Sequence, residues 1–275
     1  MDSQLSERHQ KILNRFVVAC NADERVLAAL LMGSYVRGKP DEHSDLDLYL
    51  VTTDEAHEDF VNTRDAFARL LGEPLFIEDF DLPNIVFLIY PDGSEVEIHY
   101  ARASQLGGVF NAPFKVLLDK KNITANLTIS EWEVDQTEQT EKLRRLIHWF
   151  WHDLSHFIAA LGRDQLWWAR GQLDVLRAIC VSLARLKNNF ADTDLGEEVY
   201  SKIEKALPLE QLSPLETTFC PMERDAMLES AFVIIRFYKD LAFFLANAHG
   251  IIYPDRLEQA LVERFEKLRA SCSIE

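Results

Sequence analysis

The sequence predicts an α+β protein: a small mixed β-sheet domain with packed helices over residues 1–128, followed by a C-terminal helical bundle over residues 129–275. Strand-like runs, continuous or alternating in apolar residues, cluster in the first half at residues 26–32, 46–51, 85–90 and 94–100. From Glu131 onward the pattern changes to long 3.6-residue periods with few glycines and many aromatics. A chain of 275 residues, 48% of them hydrophobic, is long enough to give each half its own core.

Residues 6–20 read as an amphipathic helix burying Ile12, Leu13, Phe16 and Val17. The apolar run 26–32 reads as a buried strand that ends at a Gly33-Ser34 turn. A polar excursion carrying Arg37 and Lys39 follows, and the chain returns as Asp45-Leu46-Asp47-Leu48. Residues 55–71 have helical spacing at Phe60, Val61, Ala66, Phe67, Leu70 and Leu71, with Gly72 and Pro74 closing the helix. Residues 85–90, the turn Pro91-Asp92-Gly93 and residues 94–100 make a hairpin. Residues 106–129, with Gly107-Gly108, Pro113 and Lys120-Lys121-Asn122, read as an irregular connection, in which Lys115, Lys120 and Lys121 are solvated loop charges.

In the second half, Leu143, Ile147, Phe150, Leu154, Phe157, Ile158 and Leu161 form one apolar stripe. His148, His152 and His156 recur every four residues on the opposite face. That row reads as a solvated face; metal binding or a contact to acceptor or nucleotide are the other readings, with no acidic partner in register. A further helix from Trp167 to Leu186 buries Leu173, Leu176, Cys180 and Leu183, and its tryptophans read as core. Residues 227–248 and 257–268 supply two more helices, enough for a bundle.

The chemistry-bearing residues lie in the first half. In a strand, alternate side chains share a face, so Asp45 and Asp47 project together while Leu46 and Leu48 enter the core. Two carboxylates held that close repel unless a hard divalent cation neutralises both, and magnesium suits a few carboxylates plus phosphate and water. Gly33, without a side chain, lets backbone amides approach a phosphate, and Ser34 adds a hydroxyl there. On the hairpin strand Glu95, Glu97 and His99 share a face. Glu97, mid-strand between Val96 and Ile98, is the candidate third acid; Glu95 is nearer the turn and wetter; His99 reads as a secondary substrate contact.

Gly-Ser, about ten intervening residues and an apolar-flanked Asp-x-Asp resemble the signature of the nucleotidyltransferase superfamily that includes DNA polymerase beta. Within it the chain is most similar to the lincosamide and aminoglycoside antibiotic nucleotidyltransferases. The lincosamide branch comes nearest, through Gly33-Ser34-Tyr35 and Val96-Glu97-Ile98-His99-Tyr100. The resemblance implies transfer of a nucleoside monophosphate, AMP from ATP or another nucleoside triphosphate, to a hydroxyl of a small antibiotic acceptor, with release of pyrophosphate. Asp45 and Asp47 would hold two magnesium ions, and Glu97 would complete the ligands or act as general base. Gly33 and Ser34, with Arg37 and Lys39, would bind the phosphates. The helical domain would wall the acceptor cleft or dimerise, with Asp153, Trp168 and Asp174 as candidate acceptor contacts. Nucleotidylation of protein or RNA, or a silent module of the toxin-antitoxin type, are the alternatives.

Composition bears on partners. The net charge is −16 with no basic run, which disfavours a nucleic-acid partner and suits a cationic or neutral acceptor. The N-terminus lacks a basic start followed by an apolar run, and the most apolar stretch, residues 230–252, contains Arg236, Lys239 and Asp240. No membrane association and a cytoplasmic location are expected. Cys20, Cys180, Cys220 and Cys272 lack metal-ligand spacing.

Overall fold

A computed structural model of the chain describes residues 5–107, 109–110, 113–129, 135–190 and 198–272. The N-terminal residues 1–4, Gly108 and the predicted start of the helical pattern at Glu131 lie outside them. The chain divides into two compact units, Met1–Glu133 and Val134–Glu275.

The first unit opens with α1 (Glu7–Ala22), capped by the Ser6 hydroxyl, which accepts the His9 amide. Its covered face is Ile12, Leu13, Phe16, Ala19 and Cys20. Then come β1 (Val26–Leu31), the one-turn helix α2 (Gly33–Val36) and β2 (Leu46–Thr52). The predicted helix over 55–71 is two pieces, α3 (His57–Asn62) and α4 (Arg64–Leu70). Thr63 makes the break: its hydroxyl takes the Asp59 carbonyl at 2.8 Å, competing with the backbone ladder. The offset turns Ala66 and Leu70 to solvent and buries Ala68, while Phe60, Phe67 and Leu71 are buried as the spacing predicts.

Next are β3 (Phe76–Glu78), β4 (Ile85–Ile89), β5 (Glu95–Arg102) and a 3-10 turn at Ala103–Gln105. The short strands β6 (Val109–Phe110), β7 (Lys115–Asp119) and β8 (Thr128–Ile129) follow. Six strands form one mixed sheet in the order β3-β4-β5-β2-β1-β7. Only β2 and β5 run parallel within it; β6 and β8 pair separately.

The stretch read as a connection therefore contributes an edge strand, with β7 pairing β1 from Ala28↔Asp119 to Leu31↔Lys115. An edge strand with two of its five residues exposed and none fully buried carries too little alternation to be read. Lys120 is also not a free loop charge. Its ammonium donates to the carbonyls of Cys20 and Asp23, each at 2.8 Å, and so caps the C-terminal end of α1.

The second unit is helical: α5 (Gln136–Gly162), α6 (Leu166–Asn188), α7 (Ile203–Ala206), α8 (Leu209–Glu216), α9 (Arg224–Ala248) and α10 (Asp255–Cys272). The predicted stripes of α5 and α6 are buried in its core. Tyr238 stacks on Phe150 at 3.5 Å and donates its hydroxyl to the Ile147 carbonyl at 2.6 Å. The expectation that the tryptophans of α6 are core fails. Trp167 is 82% exposed and Trp168 36%, because the buried stripe runs through Ala169, Leu173 and Leu176 and both indoles fall beside it. Among the described residues no helix is long and apolar enough to cross a membrane.

Candidate active site

β2 lies between β1 and β5, so its residues are held by backbone ladders on both sides. The parallel register sets Asp47 opposite Glu97 and Tyr49 opposite His99. Partners in register share a face, which places Asp45, Asp47 and Tyr49 alongside Glu95, Glu97 and His99. Leu46, Leu48, Val96 and Ile98 are buried on the other side.

At the end of β1 the Met32 amide donates to the Asp47 carbonyl at 2.9 Å, bringing Gly33 directly onto Asp47. Gly33 has φ +68°, and a Cβ built there would lie 1.5 Å from Asp47 Oδ2. Both the left-handed backbone and the contact require glycine. The predicted turn is the helical turn α2, in which the Arg37 amide returns to the Gly33 carbonyl at 3.2 Å. Ser34 Oγ is buried there with no hydrogen-bond partner.

Two anchors that the sequence reading missed hold this turn and the following loop. Tyr35, buried in the core, bonds His9 Nδ1 of α1 at 2.5 Å, and the rings meet edge to face. Burial lowers the His9 pKa, the nearby Arg8 charge adds to this, and the ring stays neutral at pH 7. Arg8 donates to the carbonyls of Glu42 at 2.9 Å and Asp92 at 3.4 Å, tying the loop before Asp45 to the hairpin turn. The side chain of Asp41 accepts the His43 amide at 3.0 Å, an Asx turn that shapes the approach to Asp45. The only sequence signals were Tyr35 directly after Gly-Ser and a histidine on the apolar face of α1.

Electrostatics single out Asp47. Burial pushes its pKa up to about 6, the charges of Asp45 and Glu97 push the same way, and His99 and Arg37 oppose them. Glu97 Oε2 lies 3.6 Å from His99 Nε2. The His99 ring stacks parallel to Tyr49 at 6.2 Å, and Tyr49 meets Phe110 edge-on at 5.3 Å. Glu95 is exposed and pairs with Ile89 beside the hairpin turn. Arg37 and Lys39 are exposed, with the Lys39 amide bonded to the Ser34 carbonyl at 3.1 Å.

The remaining candidates sit in the helical unit. Asp153 is buried, with Oδ1 3.2 Å from His152 Nδ1. Trp168 packs at 5.9 Å from His156. Asp174 is taken up by arginines of its own helix: Oδ1 accepts from Arg177 at 2.5 Å and Oδ2 lies 3.5 Å from Arg170. Among the described residues, one trio of potential ligands brings its atoms within 4.8 Å of one another, and it is His152, Asp153 and His156. The acids Asp45, Asp47 and Glu97 share a face without being drawn that close.

A mixed sheet with two aspartates against a glycine-serine turn, and a third carboxylate in register on the parallel neighbour, is the framework of a nucleotidyltransferase. The sequence model of the streptomycin adenylyltransferase family matches residues 7–268, nearly the whole chain. The chain belongs to that family and is a nucleotidyltransferase enzyme, and the family implies a nucleotide substrate. The match falls on the aminoglycoside side of the two antibiotic branches.

A search of curated protein sequences finds no match. Among solved structures the chain is similar to an aminoglycoside 6-adenyltransferase from Bacillus subtilis, at 16% identity and TM-score 0.42, over 96% of this chain and 99% of that one. It is also similar to the STING-associated CdnE c-di-GMP synthase from Capnocytophaga granulosa, at 12% identity and TM-score 0.28, over 86% of this chain and 83% of that one. Neither likeness is close enough to bear on the chemistry of this chain.

Proposed function

We propose that this protein transfers AMP from ATP to a hydroxyl of an aminoglycoside antibiotic, with magnesium, releasing pyrophosphate and conferring resistance. The observation that carries the reading is the family match along residues 7–268. The site residues suit the nucleotide and the cation. All the candidate ligands are hard oxygen donors, Ser34 Oγ is buried without a partner, and the space a side chain would fill at Gly33 is given to Asp47.

Asp45 and Asp47 would hold the magnesium, with Glu97 completing the ligands or taking the proton of the acceptor hydroxyl. Bound there, magnesium would offset phosphate charge as the α-phosphorus is attacked. The Gly33 backbone and the Ser34 hydroxyl hold the terminal phosphates, while Arg37 and Lys39 reach them from solvent. His99, 3.6 Å from Glu97, orients that carboxylate and meets the acceptor.

The helical unit contributes to choosing the acceptor, with Trp168 as a stacking surface. Asp153 remains a candidate for contact; Asp174 is the weaker one, since two arginines already occupy it. The net charge of −16 draws a polycationic acceptor toward the protein. A cytoplasmic location, where nucleoside triphosphates are, and a homodimer through the helical unit belong to the same reading.

The test is incubation with magnesium, each nucleoside triphosphate and a panel of aminoglycosides and lincosamides, followed by mass spectrometry of the drugs. The expected result is one added nucleoside monophosphate on an aminoglycoside, ATP being the best donor. No mass gain on any aminoglycoside would overturn the reading.

A further inference from the structure

Helix α5 places His152 and His156 one turn apart, where neighbouring side chains on a helix meet. Their rings approach to 4.3 Å between centroids. Asp153, adjacent in the chain, brings Oδ1 to 3.2 Å from His152 Nδ1. One ligand atom from each of the three residues lies within 4.8 Å of the others. Ligands bound to one ion at about 2.0–2.2 Å in tetrahedral geometry stand about 3–4 Å apart, so the trio is already near that spacing.

A second observation is independent of this spacing. The Asp153 side chain is only 9% exposed, and its other oxygen, Oδ2, is sealed from water with no hydrogen-bond partner. A buried carboxylate oxygen left without a partner is costly, and a bound cation supplies what it lacks. Trp168, packed at 5.9 Å from His156, closes one side of the cluster, while His152 leaves another side open to solvent.

We propose that His152, Asp153 and His156 form a three-ligand site for a borderline transition-metal ion, best suited to zinc, with a fourth position open to water or a ligand. Two imidazoles and one carboxylate are the donor set of such ions, whereas magnesium and calcium take oxygen alone. The ligands belong to the helical unit and include none of Asp45, Asp47 and Glu97, and metal binding there is tested without the transfer reaction. His148 and His152 are exposed and His156 is half-buried, as the sequence reading of a solvated row has it, and the proposed ligand set draws on two members of that row. The acid absent from the row is the residue next to His152, and His148, one turn earlier and exposed, is not a member.

The experiment is titration of the tag-free, metal-stripped full chain with Zn2+ by calorimetry and with Co2+ by visible absorption, in buffer without nucleotide. The expected result is one equivalent bound in a saturable step, with cobalt bands of four-coordinate type. His152→Ala and His156→Ala each weaken binding by at least about 10–100-fold, the loss caused by removing even a supporting partner of a metal site. His148→Ala and Asp47→Asn keep wild-type binding. Absence of stoichiometric binding in the wild type, or equal binding in both histidine variants, overturns the site. Loss of binding in Asp47→Asn alone would also overturn it, by moving the metal to the other unit. Circular dichroism of each variant shows that lost binding is not lost fold.

Discussion

Buried charge is handled in opposite ways in the two units of this protein. In the helical unit Arg177, 1% exposed, is fully answered: its guanidinium donates to Thr218 Oγ1 at 2.7 Å, to the Thr218 carbonyl at 2.8 Å and to Asp174 at 2.5 Å. In the sheet unit Asp47 faces two further carboxylates, and its pKa rises to about 6. A charge closed off by its own partners serves the fold, whereas one set among like charges is held for something that arrives later. In sequence Asp174 and Asp47 are each an aspartate between apolar residues. Only the partners distinguish them.

The sharpest way to break this contrast is to remove the balanced charge. Arg177→Ala takes a large, fully buried side chain out of the core, leaving a cavity beside Thr218 and the half-exposed Asp174 with one arginine fewer, and is expected to cost about 3–5 kcal/mol of stability. Urea unfolding followed by circular dichroism measures it; a loss under 1 kcal/mol would mean the network is not structural.

Removing the unbalanced charge should do the reverse: little harm to the fold and great harm to turnover. Asp45→Asn and Asp47→Asn are each expected to lower AMP transfer on the order of 10²–10³-fold or more, the scale for losing one preorganised electrostatic partner of a transition state. Initial rates at saturating magnesium and ATP provide the check. A variant of either residue with near wild-type turnover would end the assignment.

Within the acidic face, register predicts a gradient. Glu97→Gln, opposite Asp47, should cost about 10²-fold in kcat, as expected for a lost base or ligand, while Glu95→Gln at the hairpin turn should change it less than about threefold. Equal losses would show that proximity to Asp47 is not what matters.

The smallest effect concerns pH. Because the folded-state pKa of Asp47 lies above its ordinary value of 3.8, its contribution to stability is complete below about pH 4 and is lost as pH rises through about 6. Asp47→Asn should therefore be more stable than wild type at pH 7 by about 1–2 kcal/mol, a figure discounted because the side chain is only half-buried. At pH 3.5 the difference should vanish. Paired urea titrations at the two pH values test it, and a variant less stable than wild type at pH 7 would contradict the like-charge account.

Much of this arrangement was legible in the residues. Asp45 and Asp47 share a face because strand geometry has period two, and Glu97 could be chosen over Glu95 because apolar neighbours place it mid-strand. The edge strand β7, the break at Thr63 and the exposure of Trp167 were not legible. Each depends on which neighbour is present, and a half-exposed strand or an off-stripe indole looks the same in sequence whether it is paired, buried or bare. Lys120 shows the same limit: as a residue type it is a surface cation, and only the end of α1 gives it two carbonyls to hold.

By itself the sequence determined the alternation that lines up the acids, the glycine at position 33 and the apolar stripes of α5 and α6, because these follow from backbone periods and side-chain volume within short windows. Tertiary structure alone decided the parallel pairing of Asp47 with Glu97, the anchoring of Tyr35 by His9, and the gathering of His156, Asp153 and Trp168 on the helical unit. Those depend on distances between residues far apart in the chain, or on which face of a helix is left uncovered. Such distances are set only when the sheet and the bundle close over their cores.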